Sequence, residues 1–149
     1  MGKNNTHFKP DEQFTLLTLW SIARSPLILG ADLTKLDEFT LALITNDEVI
    51  AVDQSSASNR ELFRRDGFYG WVADVPGSSD KYLALFNTQD KPPNGTETSL
   101  PVPVKLLELD LASASNIRNL WTRQDLGSFT NQFAPDINFH GAGLYRVSP

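Results

Sequence analysis

HFKPDEQFTLLTLWSIARSPLILGADL, residues 7–33, reads as a helix that runs into a short buried strand. Pro10 suits the first helical position, Asp11 and Glu12 complement the positive end of the helix dipole, and no glycine interrupts the run to Arg24. The polar residues Asp11, Thr15 and Thr18 form only a narrow stripe. Phe14, Leu16, Leu17, Leu19, Trp20, Ile22 and Ala23 cover most of the remaining circumference, the pattern of a helix packed on two sides. Pro26 stops the helix. Leu27-Ile28-Leu29-Gly30 is then a continuous apolar run, as in a parallel strand covered on both faces. A further helical stretch follows from Asp37 to Val52, in which Thr45-Asn46-Asp47-Glu48 fits a capping box. Helix, strand, helix is the rhythm at the edge of a (β/α)8 barrel.

Past residue 54 the pattern changes. Ser55-Ser56-Ala57-Ser58-Asn59 is small and polar, as expected of a linker, and after it the apolar period is two. Phe68–Asp74 and Lys81–Asn87, separated by Pro76-Gly77-Ser78-Ser79-Asp80, predict a hairpin. Val102, Val104 and Leu106, then Leu107, Leu109 and Leu111, predict one strand whose facing shifts at a bulge, with Pro101 and Pro103 holding its start to an edge. Gln89–Thr98 reads as a surface loop. The expected fold class is an α/β remnant, residues 1–54, a linker at 55–59, and an all-β antiparallel Greek-key sandwich over 60–149. The β unit should be the more cooperative of the two.

Composition closes several routes. The net charge is −5 and Arg64-Arg65 is the only adjacent basic pair, which argues against a nucleic-acid partner. No apolar run reaches the length of a membrane span, and no partner membrane is expected. There is no cysteine, which removes disulfides and thiolate chemistry. His7 and His140 are too few for a metal cluster, and no cofactor or metal is expected. His140-Gly141-Ala142-Gly143 lacks the Lys-Ser/Thr ending of a phosphate loop and is read as a tight turn. The residues before Phe8 carry no secretory h-region, so the compartment is unknown; a secreted or periplasmic parent would carry its signal upstream.

Residues 15–30 with Asp32-Leu33, then Leu43–Gln54, resemble the end of the catalytic barrel in melibiase-type α-galactosidases, glycoside hydrolase family 27. Ile117–Gly127 and Phe139–Val147 are similar to the closing strands of that family's C-terminal antiparallel domain. One departure is Asp53, where the family usually has asparagine. The resemblance implies the distal part of a retaining hydrolase of terminal α-galactosides, whose two catalytic aspartates lie in barrel motifs that this chain does not contain. No catalytic residue is therefore assigned, and the chain alone is expected to be inactive. Asp32 is a weak substrate-binding candidate, because it follows the apolar strand at the rim where barrels place their sites. Its competing role is to order its loop or cap the next helix. The partner implied is an α-galactoside for the intact enzyme, with self-association through the exposed barrel edge as a second possibility. The alternative function is a non-catalytic carbohydrate-binding or protein-interaction sandwich. In that case Tyr69, Trp71, Tyr82, Trp121 or Tyr145 could stack on sugar rings, although core filling is their commoner use.

Overall fold

The computed structural model describes residues 6–111 and 114–149. Three helices come first: α1 (Pro10–Ile22), α2 (Glu38–Ile44) and α3 (Asp47–Ser55). Ten strands follow: β1 (Ala57–Arg65), β2 (Phe68–Asp74), β3 (Lys81–Asn87), β4 (Ser99–Pro101), β5 (Val104–Lys105), β6 (Ala114–Asn119), β7 (Gln124–Thr130), β8 (Gln132–Phe133), β9 (Asp136–Asn138) and β10 (Ala142–Ser148). The mostly β architecture, with a few helices at the start, agrees with the sandwich expected from the sequence.

Helix α1 starts as its sequence dictates. Pro10 opens it, and the Lys9 N–H donates to the Glu12 carboxylate at 2.7 Å, satisfying a donor that the first turn would otherwise orphan. It ends where Arg24 turns left-handed, with φ 53°. The Arg24 guanidinium then donates to the carbonyls of Asp53 and Gln54, tying the end of α1 to the last turn of α3.

The structure departs from the sequence reading in four places. Leu27–Leu29 belongs to no sheet, the Ile28 N–H donates back to the Pro26 carbonyl at 3.0 Å, and Ile28 is 80 % exposed. A parallel strand exists only beside another strand, and the described residues offer it none. The helical stretch from Asp37 breaks into α2 and α3 because Asn46, not Thr45, is the cap: its side chain accepts from the N–H groups of Glu48 and Val49. The expected linker is not a free segment. Ser55 closes α3 and Ala57 opens β1, with Asn59 donating to the Ile22 carbonyl at 2.7 Å. Finally, the single strand expected over residues 102–111 is β5 followed by a 3-10 turn at Leu106–Leu109, which buries Leu106 and Leu109 and turns Leu107 out to solvent.

The main sheet is six-stranded and antiparallel in the order β1-β2-β3-β10-β6-β7. The β2–β3 hairpin falls at the expected bounds. β1 pairs with β2 across Asp66-Gly67, both at positive φ, the turn chemistry of a tight hairpin. β10 returns from the far end of the chain to lie between β3 and β6, a return of the Greek-key kind. Two short ladders, β4–β9 and β5–β8, make the opposing layer of the sandwich.

Alternation along the central strands sorts side chains between two cores. Leu83 and Leu85 of β3 point with Val72, Ile117, Tyr145 and Val147 into the sandwich, against Val102, Val104, Leu106 and Phe133. Tyr82, Ala84 and Phe86 point the other way, with Leu144 and Leu120, against Ile22, Val49 and Val52 of the helices. Helices and sandwich therefore share one of the two cores.

Candidate functional site

Asp32 lies in the loop after Leu29 and lines a cavity of about 460 Å³ together with Gly30, Ala31, Lys35 and Asp37. Its carboxylate is occupied locally. Oδ1 accepts from the Thr34 N–H at 3.1 Å and the Thr34 hydroxyl at 2.6 Å, capping the 3-10 turn Leu33–Lys35, while Oδ2 pairs with Lys35 Nζ at 2.9 Å. The Thr34 hydroxyl bond, followed by Lys35, holds this carboxyl below the usual carboxylate range. Asp37, on the same cavity, caps α2 by accepting from the Thr40 N–H at 2.7 Å, and that bond lowers its pKa too. Two carboxyls on one cavity invite comparison with a glycosidase pair. A retaining mechanism needs one of them protonated as general acid, with a raised pKa, and both of these are shifted the wrong way.

The remaining candidates divide by what they touch. His140 pairs with Asp90 at 2.8 Å, and among the described residues no three His, Cys, Asp or Glu side chains cluster as metal ligands. His140-Gly141 forms the turn into β10, with the Gly141 N–H on the Asn138 carbonyl. A polar cleft of about 560 Å³ beside β6 and β10 contains Arg118, Asp125, Asp80 and Arg146. Its charges serve the fold: Arg118 forks onto Glu48 of α3 at 2.9 and 2.7 Å and reaches Asp125 at 2.9 Å, and Arg146 meets Asp80 at 2.7 Å.

Tyr69, Trp71 and Tyr82 pack with the core beneath the helices. Trp121 and Tyr145 instead meet around a smaller cleft of about 210 Å³ at the end of the main sheet, lined also by Asp11, Asn119 and Asn138. Trp121 is held there by an indole hydrogen bond to the Thr18 hydroxyl at 2.9 Å and an edge-on contact with Phe14. Asp11, Asn119 and Asn138 carry no pattern in the sequence that would single them out. Only the Asn119-Leu120-Trp121-Thr122 order, an asparagine able to anchor its own turn, hints at local structure.

The helical layer also carries an apolar groove of about 340 Å³, lined by Leu17, Leu27, Leu43, Ile44 and Ile50. Two buried oxygens on its wall, Ser21 Oγ and Asp53 Oδ1, have no hydrogen-bond partner among the described residues. Burial raises the Asp53 pKa, with the Arg24 charge opposing it.

Residues 67–147 match the family model of the alpha galactosidase C-terminal beta sandwich domain. A probable alpha-galactosidase of Dictyostelium discoideum is 29 % identical over 154 aligned residues, covering 99 % of this chain and 37 % of that protein. Among solved structures, a family 27 β-L-arabinopyranosidase from Geobacillus stearothermophilus superposes with TM-score 0.87 at 35 % identity, over 97 % of this chain and 31 % of that one. A putative alpha-N-acetylgalactosaminidase from Bacillus halodurans does so with TM-score 0.87 at 30 % identity, over 97 % and 33 %. The chain spans about a third of the length of these relatives. It belongs to the family of the α-galactosidase C-terminal β-sandwich domain, and it is similar to the C-terminal portion of family 27 glycoside hydrolases.

Proposed function

We propose that this chain is the distal, non-catalytic part of a glycoside hydrolase that cleaves terminal α-galactosides with retention, residues 1–54 being the last elements of its (β/α)8 barrel and 60–149 its C-terminal sandwich. The observation that carries this reading is the engagement of Asp32. Of the two carboxyls on its cavity, Asp32 is the one that follows the apolar run Leu27–Leu29, and Thr34 and Lys35 take up its carboxylate. On this reading Asp32 orders the rim loop and contacts substrate at most indirectly. The helical layer supports the barrel assignment: its inner face is dry against the sheet, while Leu19, Ile28, Leu29, Leu33 and Leu41 remain exposed on the other side. An apolar face of that extent marks a surface built to be covered. The unpaired segment Leu27–Leu29 has the composition of a strand that would gain its neighbours from a preceding barrel.

The test is hydrolysis of an aryl α-galactoside by the purified 149-residue chain, which should not exceed background. Saturable turnover abolished by Asp32→Asn would refute the proposal. Joined in frame behind the catalytic portion of the Dictyostelium relative, the same chain should support turnover that Asp32→Asn leaves largely intact.

A further inference from the structure

The cleft at the end of the main sheet is a built site rather than a gap between elements. Its floor is Tyr145, only 3 % exposed, whose ring is locked edge-on against Phe133 at 4.9 Å between centroids. The hydroxyl reaches back over Gly143, so close that a Cβ there would collide with it, and the missing side chain is what leaves room for it. Burial raises the Tyr145 pKa. A buried phenol is normally hydrogen-bonded. Tyr145 lines a cavity of about 210 Å³, where a ligand can supply such a bond.

The walls are polar in a particular way. Asn119 uses its side-chain oxygen to accept from the N–H groups of Trp121 and Thr122, which leaves its amide N–H groups uncommitted among the described residues. The Asn138 side-chain amide donates to Asp11 Oδ1 at 3.0 Å, which leaves Asn138 Oδ1 and the second Asp11 oxygen as acceptors. No Lys, Arg or His lines the cleft, so an anion has nothing to pair with. Its carboxylates are Asp11 and Asp136, short of the three ligand groups that would mark a metal site. Donors and acceptors interleaved beside a rigid indole are the chemistry that recognises a neutral polyol with one apolar face.

We propose that this cleft is a non-catalytic subsite for a single pyranose ring, with the Tyr145 hydroxyl and Asn138 Oδ1 hydrogen-bonding sugar hydroxyls and Trp121 forming the wall. The choice of a sugar among neutral polyols leans on the hydrolase reading; the site itself does not. Several polar contacts and one aromatic wall in a shallow cleft give weak affinity, with a Kd of the order of 1–10 mM.

The experiment is an NMR titration of the full chain with methyl α-D-galactopyranoside, following backbone amides and the Trp121 indole. Saturable shifts confined to Trp121, Gly141, Gly143 and their neighbours are expected. Tyr145→Phe should weaken binding by about fivefold to tenfold, as for one lost hydrogen bond. The ring and its edge-on contact with Phe133 are kept, so the variant should stay folded, as its unfolding temperature will show. Asn138→Ala should weaken binding comparably. Absence of saturable shifts, shifts centred elsewhere, an equal response to glycerol, or unchanged affinity in Tyr145→Phe would each overturn the subsite. Binding is read on this chain without turnover, so its failure is separate from failure of the hydrolase assignment.

Discussion

Both faces of the main sheet are dry, yet the layers that cover them differ on their outer sides. The sandwich layer is closed: Leu83, Leu85, Val102, Val104, Leu106 and Leu109 are fully buried, and among the described residues only Leu107 and Leu126 stand out as large apolar residues at its surface. The helical layer buries Ile22 and Val52 as completely, but Phe8, Leu19, Ile28, Leu29, Leu33 and Leu41 lie on its far side. The sandwich layer presents a finished outer surface; on the barrel reading proposed above, the helical layer is a central one. Apolar surface on two sides of an element is the signature of a central layer, because each apolar side must be removed from water to contribute to stability.

The largest effect expected from this difference follows from the shared core. Removing residues 1–55 would uncover Tyr82, Phe86, Leu120 and Leu144, each worth about 1.5–3 kcal/mol when buried, against a net stability of about 5–15 kcal/mol for an ordinary domain. The truncated chain should lose its cooperative thermal transition. A sharp calorimetric transition at the original temperature would break the comparison, showing the sandwich to be independent of the helices.

Point substitutions sharpen it. Leu85→Ala, in the closed core, should cost about 2–5 kcal/mol by denaturant unfolding, whereas Leu41→Ala, on the open side of the helical layer, should stay within about 0.5 kcal/mol. Ile28→Ser should be equally neutral for stability and should lower any self-association seen by sedimentation. A cost for Leu41→Ala comparable to that of Leu85→Ala would mean that the far side of the helices is covered in solution.

Smaller effects depend on pH, and Asp53 of the helical layer differs in sign from the carboxyls of the sandwich. In the sandwich, the Lys81 hydrogen bond lowers the Asp74 pKa and the Arg65 bond lowers that of Glu108. For Asp80 burial pushes upward, but bonds from Arg146, Ser148 and Ser78 outweigh it and the pKa falls. A carboxyl whose pKa is lower folded than unfolded stabilises the fold above its unfolded pKa, and that contribution disappears as the pH drops through the folded value. Stability should therefore decline below about pH 4, and Asp80→Asn should flatten that limb of the pH–stability curve.

Asp53, in the helical layer, is the reverse case. Burial raises its pKa, so its protonated form suits the fold and its charged form penalises it; the penalty is absent in acid and appears as the pH rises through the folded pKa. Asp53→Asn should stabilise the chain at neutral pH by about 1 kcal/mol or less, with the advantage vanishing below the ordinary carboxylate range. Destabilisation at neutral pH would show that the Asp53 charge has a partner in solution.

Local pattern alone determined much of this protein. Alternation in Phe68–Asp74 and Lys81–Asn87 is strong enough to set the bounds of β2 and β3, and Pro10, Asp11 and Glu12 mark the start of α1, because these signals act between residues a few positions apart. Asp66-Gly67 was an equally local signal for the β1–β2 turn, but the small polar residues 55–59 masked the strand before it. The family resemblance was also legible, carried by ordered runs at both ends of the chain. Other features needed the folded whole. Leu27–Leu29 has the composition of a buried strand, but pairing requires a neighbour that no local pattern supplies. Asp32 reads in the sequence as either a site or a cap, and the structure shows Thr34 and Lys35 on its carboxylate. The end cleft exists only because β10 inserts between β3 and β6 while α1 lies against the same sheet, bringing Tyr145 and Trp121 to Asp11 and Asn138 from opposite ends of the chain. Such a site is set by long-range register and packing, and periodicity within a segment carries no information about which distant segment it will face.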